Sequence, residues 1–230
     1  MKRFPLALIS VVLALVISGC SSSPSKPAPD NPSGTLLDVG IAAGMAKDYA
    51  YQLYSGSGIV VPFNITRKLW GGPAAWDSTE SGNCSRWSMY LDGIVYNVGS
   101  YRYVQIALEV SIKGGEVSTR NANVEIKQIS EGEVNATAIS IWDLTIEDYL
   151  AFSSHSIFLT GQVARPAEPA GHYLQSVGLT LYHNTTSPVP GTAVWEVSWK
   201  YLDNDSGKAA FSKVEMDAGT GTVLKVLGPE

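Results

Sequence analysis

Val104-Gln105-Ile106-Ala107-Leu108-Glu109-Val110-Ser111-Ile112 carries a large apolar residue at every second position. A period of two places all five on one face of a β-strand. Lys113-Gly114-Gly115-Glu116 follows as a turn. Beyond it, Ala122, Val124 and Ile126 share one face of a further strand, and Asn121, Asn123 and Glu125 take the other. Upstream, Trp87, Met89 and Leu91 alternate with Ser88 and Tyr90, and Ile59 to Ile65 is strand-like. Between these two pieces, Trp70-Gly71-Gly72-Pro73 and Trp76 read as a loop. Leu36 to Ser55 reads as a helix, because Leu36, Val39, Ala43, Ala46, Ala50 and Leu53 recur every three or four positions. That stripe is mostly small, which suits close approach to a sheet.

The same order then repeats. Thr145 is placed to cap a second helix, with Asp148 three residues on in a capping-box-like arrangement. Leu150, Ser153 and Ile157 share one face, Phe158 lies beside it, and Gly161 is the expected stop. Pro166 and Pro169 mark a loop. Val177, Leu179 and Leu181 alternate in the next strand, and Trp195, Val197, Trp199 and Tyr201 in the one after. Asp203 to Gly207 turns the chain, Val214 and Met216 continue on an inward face, and Thr222 to Leu227 forms a last short strand. Strands joined by short Gly-containing turns are antiparallel hairpins. The expected class is therefore α+β, with two similar halves at 35–138 and 139–230. Each half is a helix on an antiparallel sheet, and one shared sheet or two separate ones both satisfy the pattern.

Composition agrees. In 230 residues, charged side chains make up 16%, below the roughly 25% usual for soluble domains. Aromatics reach 10%, with 22 Gly and 12 Pro, which suits strands and turns. Residues 1–19 hold Lys2 and Arg3, so without them 14 basic and 21 acidic side chains remain. Such an acidic chain lacks the basic footprint for a phosphate backbone, and no nucleic-acid partner is expected.

Leu6 to Ile17 is a twelve-residue run with one polar residue, Ser10. At 1.5 Å per residue it is too short to span a hydrocarbon core of about 30 Å. With Lys2 and Arg3 before it, it has the layout of a secretory signal. The run ends in Ile17-Ser18-Gly19-Cys20, which resembles a bacterial lipobox. The resemblance implies a lipoprotein signal peptide over 1–19, cleavage before Cys20, and acylation of Cys20 with palmitate-type chains. The protein would then be lipid-anchored and extracytoplasmic in the cell envelope, on the outer membrane of a Gram-negative cell or otherwise on the plasma membrane. Residues 20–34, rich in Ser and Pro, read as a tether.

Trp195-Glu196-Val197-Ser198-Trp199, a polar turn, and Val214-Glu215-Met216-Asp217-Ala218-Gly219-Thr220-Gly221-Thr222-Val223-Leu224 together resemble the ending of PepSY domains. Asp217, Ala218, Thr220, Gly221, Val223 and Leu224 match the family's pattern, and Gly219 departs from it. The resemblance covers about 140–230 and implies a PepSY/cystatin-like fold. It further implies binding of an envelope protein or peptide, with modulation of a peptidase. It transfers no catalytic residue.

No metal, cofactor or catalytic constellation is legible. His155, His172 and His183 are dispersed, and with Cys20 acylated Cys84 is the one remaining thiol, which excludes an intramolecular disulfide. Asp203-x-Asp205-x-Gly207 resembles a calcium loop but places Gly one position early, so it reads as a hairpin tip. The expectation is a non-enzymatic binding protein whose candidate contact residues are Trp70, Trp76, Tyr96, Tyr101 and Tyr103. Aromatics at a surface supply large contact area at low entropy cost. The alternative is a small-molecule or glycan binder using a cleft between the halves.

Overall fold

The computed structural model describes residues 36–75, 82–113, 116–183 and 191–229. The expected signal segment, Cys20, the expected tether and Trp76 lie outside these residues. Helix α1 spans Val39–Leu53. Strands β1 (Gly58–Ala75), β2 (Arg86–Asn97), β3 (Ser100–Lys113) and β4 (Glu116–Ile129) follow. Helices α2 (Val134–Leu144) and α3 (Ser154–Ala164) come next. Strands β5 (His172–His183), β6 (Ala193–Asp203), β7 (Ala209–Asp217) and β8 (Val223–Leu227) complete the chain. The eight strands form one antiparallel sheet in the order β4-β3-β2-β1-β5-β6-β7-β8. The class is α+β, and the hairpins read around Val104–Ile112 and Trp195–Tyr201 are present.

Four local expectations differ from the structure. Trp70-Gly71-Gly72-Pro73 is not a loop; β1 runs straight through it, paired to β2 on one side and β5 on the other. Thr145 does not start a helix. It follows the last turn of α2, a helix the sequence reading missed, and its hydroxyl donates to the carbonyl of Ile141 at 2.9 Å. The true N-cap of α3 is Ser153, whose hydroxyl accepts from Ser156 N at 3.1 Å. The expected boundary at 138/139 falls inside α2. Gly161 does not stop α3; it lies within it, and a Cβ there would sit 2.9 Å from Val197 Cγ2 and 3.1 Å from the Trp199 ring. Glycine at this position lets the helix lie directly on β6.

Helices α1 and α3 cover the same face of the sheet. Ala42, Ala43, Ala46 and Ala50 of α1 share one core with Trp87, Leu91 and Val104, and Ile157 and Phe158 of α3 belong to the same core with Val197 and Trp199. Leu69, Leu179 and Leu181 make this core continuous across the β1–β5 seam. On the opposite face a smaller cluster of Val61, Ile94, Ile129, Ala138 and Ile141 seats α2. Ile146 returns to the main core, so the chain crosses from one face of the sheet to the other between Ile141 and Ile146.

The crossing uses a notch in the sheet. Strand β5 pairs with β1 only from Lys68 onward. Earlier in β1, Pro62 has no N–H to offer a strand neighbour, and three register shifts against β2 make the strand irregular. Residues after α2 fill the gap. Ile146 N donates to Ile65 O at 3.0 Å, and Glu147 Oε2 accepts from Ile65 N at 3.4 Å. Lys47 of α1 holds the same carboxylate at 2.6 Å.

The N-termini of α1 and α3 meet at one carboxylate. Asp38 Oδ1 accepts from Gly40 N at 2.8 Å, and Oδ2 accepts from Ser154 N at 3.0 Å and lies 2.8 Å from the Ser154 hydroxyl. One negative charge thus serves two helix N-termini, where orphan N–H groups and the helix dipole both favour it. Asp38→Ala should cost about 2 kcal/mol in urea unfolding, since it removes the cap of α1 and the acceptor of the Ser154 N–H in the first turn of α3. Asp203→Ala, at an exposed hairpin, should cost less.

Candidate functional site

The structure separates the aromatic residues singled out in the sequence into three places. Tyr103 lies within a buried polar cluster. Asp92 and Thr66 are fully buried, and Asp92 Oδ2 accepts the Thr66 hydroxyl. Asp92 Oδ1 accepts from Tyr103 Oη at 2.6 Å and Gln105 Nε2 at 3.0 Å. Arg67 brings Nε to 3.8 Å from Oδ2 and donates from Nη2 to Tyr103 Oη at 3.2 Å. Four side chains thus surround one carboxylate. The carboxylate accepts three hydrogen bonds from β1 and β3 and so anchors β1, β2 and β3 to one another. Burial, then the hydrogen bond and charge of Asp92, push the Tyr103 hydroxyl pKa well above its usual value, and Arg67 partly opposes them. Arg67 itself sits at φ +62°, inside the widest register shift of β1. Its backbone is held in a region an L-residue rarely adopts, beside the carboxylate its side chain reaches.

Trp70 belongs to a second place, the middle of the sheet face that α1 and α3 leave free. Its ring centroid lies 5.8 Å from that of Tyr90, and Lys68 Nζ stands 5.6 Å from the Trp70 ring centre. Thr180 is directly opposite Trp70 on β5, followed by Glu196 on β6. Lys213 reaches Glu196 at 3.2 Å. The Tyr182 hydroxyl is pushed up to about 12, by burial first and then by the charges of Glu215 and Glu196. Trp70, Tyr90, Thr180 and Tyr182 are all half-buried. Among the described residues α2 is the one helix on this face, and it covers the far end over Val61 and Ile94. An amphipathic sheet surface with a central Trp–Tyr pair and a cation over it remains. Nothing in the linear sequence links Trp70 to Tyr90, because the pair forms only through the β1–β2 register.

Tyr96 and Tyr101 occupy a third place, the end of the β2–β3 hairpin, with ring centroids 4.9 Å apart. Trp76 lies outside the described residues.

The remaining candidates have structural roles. Cys84 is buried, exchanges two backbone hydrogen bonds with Leu37 at 2.8 and 3.0 Å, and would lie 2.3 Å from a Cβ on Gly71. Burial raises its thiol to about 12. Asp203 Oδ1 accepts from Ser206 N at 2.6 Å, which with the Ser206 hydroxyl lowers its carboxyl pKa, and Gly207 closes the turn at φ +66°. Asp217 Oδ1 accepts from Thr220 N at 2.8 Å, and Gly221 stands at φ +71°. Among the described residues no three His, Cys, Asp or Glu side chains converge as metal ligands.

Two measurements check this assignment. Asp92→Ala leaves Thr66, Tyr103 and Gln105 without their buried acceptor and should destabilise the fold by about 3–5 kcal/mol in chemical denaturation. The Cys84 thiol should resist labelling at pH 9 in the native protein and react fully once unfolded. Because its folded pKa lies above the unfolded one near 9, the stability it contributes is complete below pH 9 and is lost as pH rises toward 12. No protein-family model, curated protein sequence or solved structure matches this chain.

Proposed function

We propose that this protein is a non-enzymatic lipoprotein of the cell envelope, anchored through acylated Cys20, that binds another protein or peptide on the open face of its sheet. The observation that carries this reading is the half-buried Trp70–Tyr90 pair with Lys68 above it. Tryptophan and tyrosine are enriched where proteins meet. The buried ionisable group nearby, Asp92, is held within the fold by four side chains.

The strand order supports two similar PepSY-like halves. Reading outward from the seam gives β1-β2-β3-β4 on one side and β5-β6-β7-β8 on the other, each preceded by a helix on the same face. A duplicated unit joined through its first strands has this arrangement. Modulation of a peptidase is the activity that the C-terminal resemblance adds. The small-molecule or glycan reading rests on the same aromatic pair, since the seam between the halves is a hydrogen-bonded strand ladder.

A photo-crosslinking residue at Thr180, opposite Trp70, should capture an envelope protein in intact cells, and one at Val163 on α3 should not. Trp70→Ala with Tyr90→Ala should abolish the adduct with little change in melting temperature. No adduct, together with a thermal shift from a glycan panel, would transfer the site to the glycan reading. Cys20→Ala should release the chain from membranes.

A further inference from the structure

The end of β1 and β2 beside the C-terminus of α1 carries an apolar surface built from two segments without charge. Tyr51 to Phe63 and Gly93 to Tyr101 contain no charged residue. The two segments come together because Gly58 pairs with Tyr96 and Ile59 with Val95. Tyr51 and Tyr54 pack against the Phe63 ring at 5.9 and 5.4 Å. Tyr51, Leu53, Ile59, Val60 and Tyr96 are all exposed there, and Val98 at the hairpin tip is 90% exposed.

Val98 also stands at φ +48°. A β-branched residue is among the worst choices for that conformation, where Asn, Asp or Gly is favoured. No packing explains its presence, because the side chain is almost fully in solvent. A strained apolar residue at an exposed tip points to a contact outside the chain.

The geometry points to the interfacial zone of a lipid bilayer as that contact, with Val98 and Ile59 entering it and Tyr51, Tyr96 and Tyr101 at headgroup level. Amphipathic rings prefer that level. The inference rests on the Cys20 anchor proposed above. Fifteen residues separate Cys20 from Leu36, and they reach at most about 50 Å. Helix α1 runs from that entry point toward the hairpin end over about 22 Å, so the same bilayer that holds the acyl chains lies within reach of the tip. The charges that flank this end, among them Asp48, Arg102 and Lys127, are of both signs, so contact depends on apolar surface and not on anionic lipid.

The test uses the acylated protein in phosphatidylcholine nanodiscs, with an environment-sensitive dye on Val98→Cys; buried Cys84 does not compete for label. The dye should shift to the blue and be quenched at least threefold more strongly by spin-labelled lipid than the same dye on Val163→Cys, and 0.5 M salt should not reverse this. A water-like dye at position 98 overturns the proposal. So does a shift produced by concentrated protein without lipid, which would assign the tip to a second copy. The unacylated Cys20→Ser chain is floated on the same vesicles in parallel. Weak binding that Val98→Asp abolishes supports the tip even where mass spectrometry finds no acylation, so failure of the anchor and of the tip are read separately. Val98→Asp should keep or raise the melting temperature, because Asp tolerates the tip conformation, and a loss of binding is then not a loss of fold.

Discussion

Six residue pairs between Lys68–Ala75 and Ser176–Tyr182 turn two four-stranded ribbons into one sheet. Everything else depends on this short ladder. It makes the core continuous through Leu69, Leu179 and Leu181, so α1 and α3 bury their apolar faces on one surface instead of two. It creates the notch above Lys68 through which the chain passes from α2 to α3. It also sets Trp70 opposite Thr180 and so completes the open face. A ribbon of four strands with one small-residue helix buries little apolar area, and joining two of them raises the buried fraction in the way larger domains do.

The regular elements were legible because their patterns agree with their burial. The alternation at Val104–Val110 and Trp195–Tyr201 corresponds to fully or nearly fully buried side chains, and the alanine stripe of α1 to a helix on a sheet. Strand β1 was not legible past Ile65. Its register shifts move Val61 and Phe63 to opposite faces, which destroys the period of two, and Gly71-Gly72-Pro73 has the composition of a turn. Helix α2 was hidden for a different reason. Ala138 and Ile141 are its buried residues, yet Ile139 and Trp142 are exposed, so its apolar pattern goes all the way round.

The candidate surfaces were legible only in part. Trp70, Tyr96 and Tyr101 do lie at the surface, but their partners come from pairing between strands. The Asp92 cluster had no linear signal at all, since Thr66, Asp92, Tyr103 and Gln105 converge from three strands. A lone acidic residue in a strand with Leu91 and Ile94 around it is the one trace it leaves in the sequence.

The entry of the chain into the fold has a mechanical consequence. Leu37 is locked to Cys84 by paired backbone bonds, its carbonyl also accepts from Trp87 Nε1 at 2.8 Å, and Asp38 follows at once. Tension on the segment that precedes Leu36 would therefore load β2 through Cys84 and Trp87 before it reaches the first turn of α1. The described fold opens with a strain relief, like the clamp where a cable enters its housing, and a pull on that segment is spread into the sheet before it can unwind the helix.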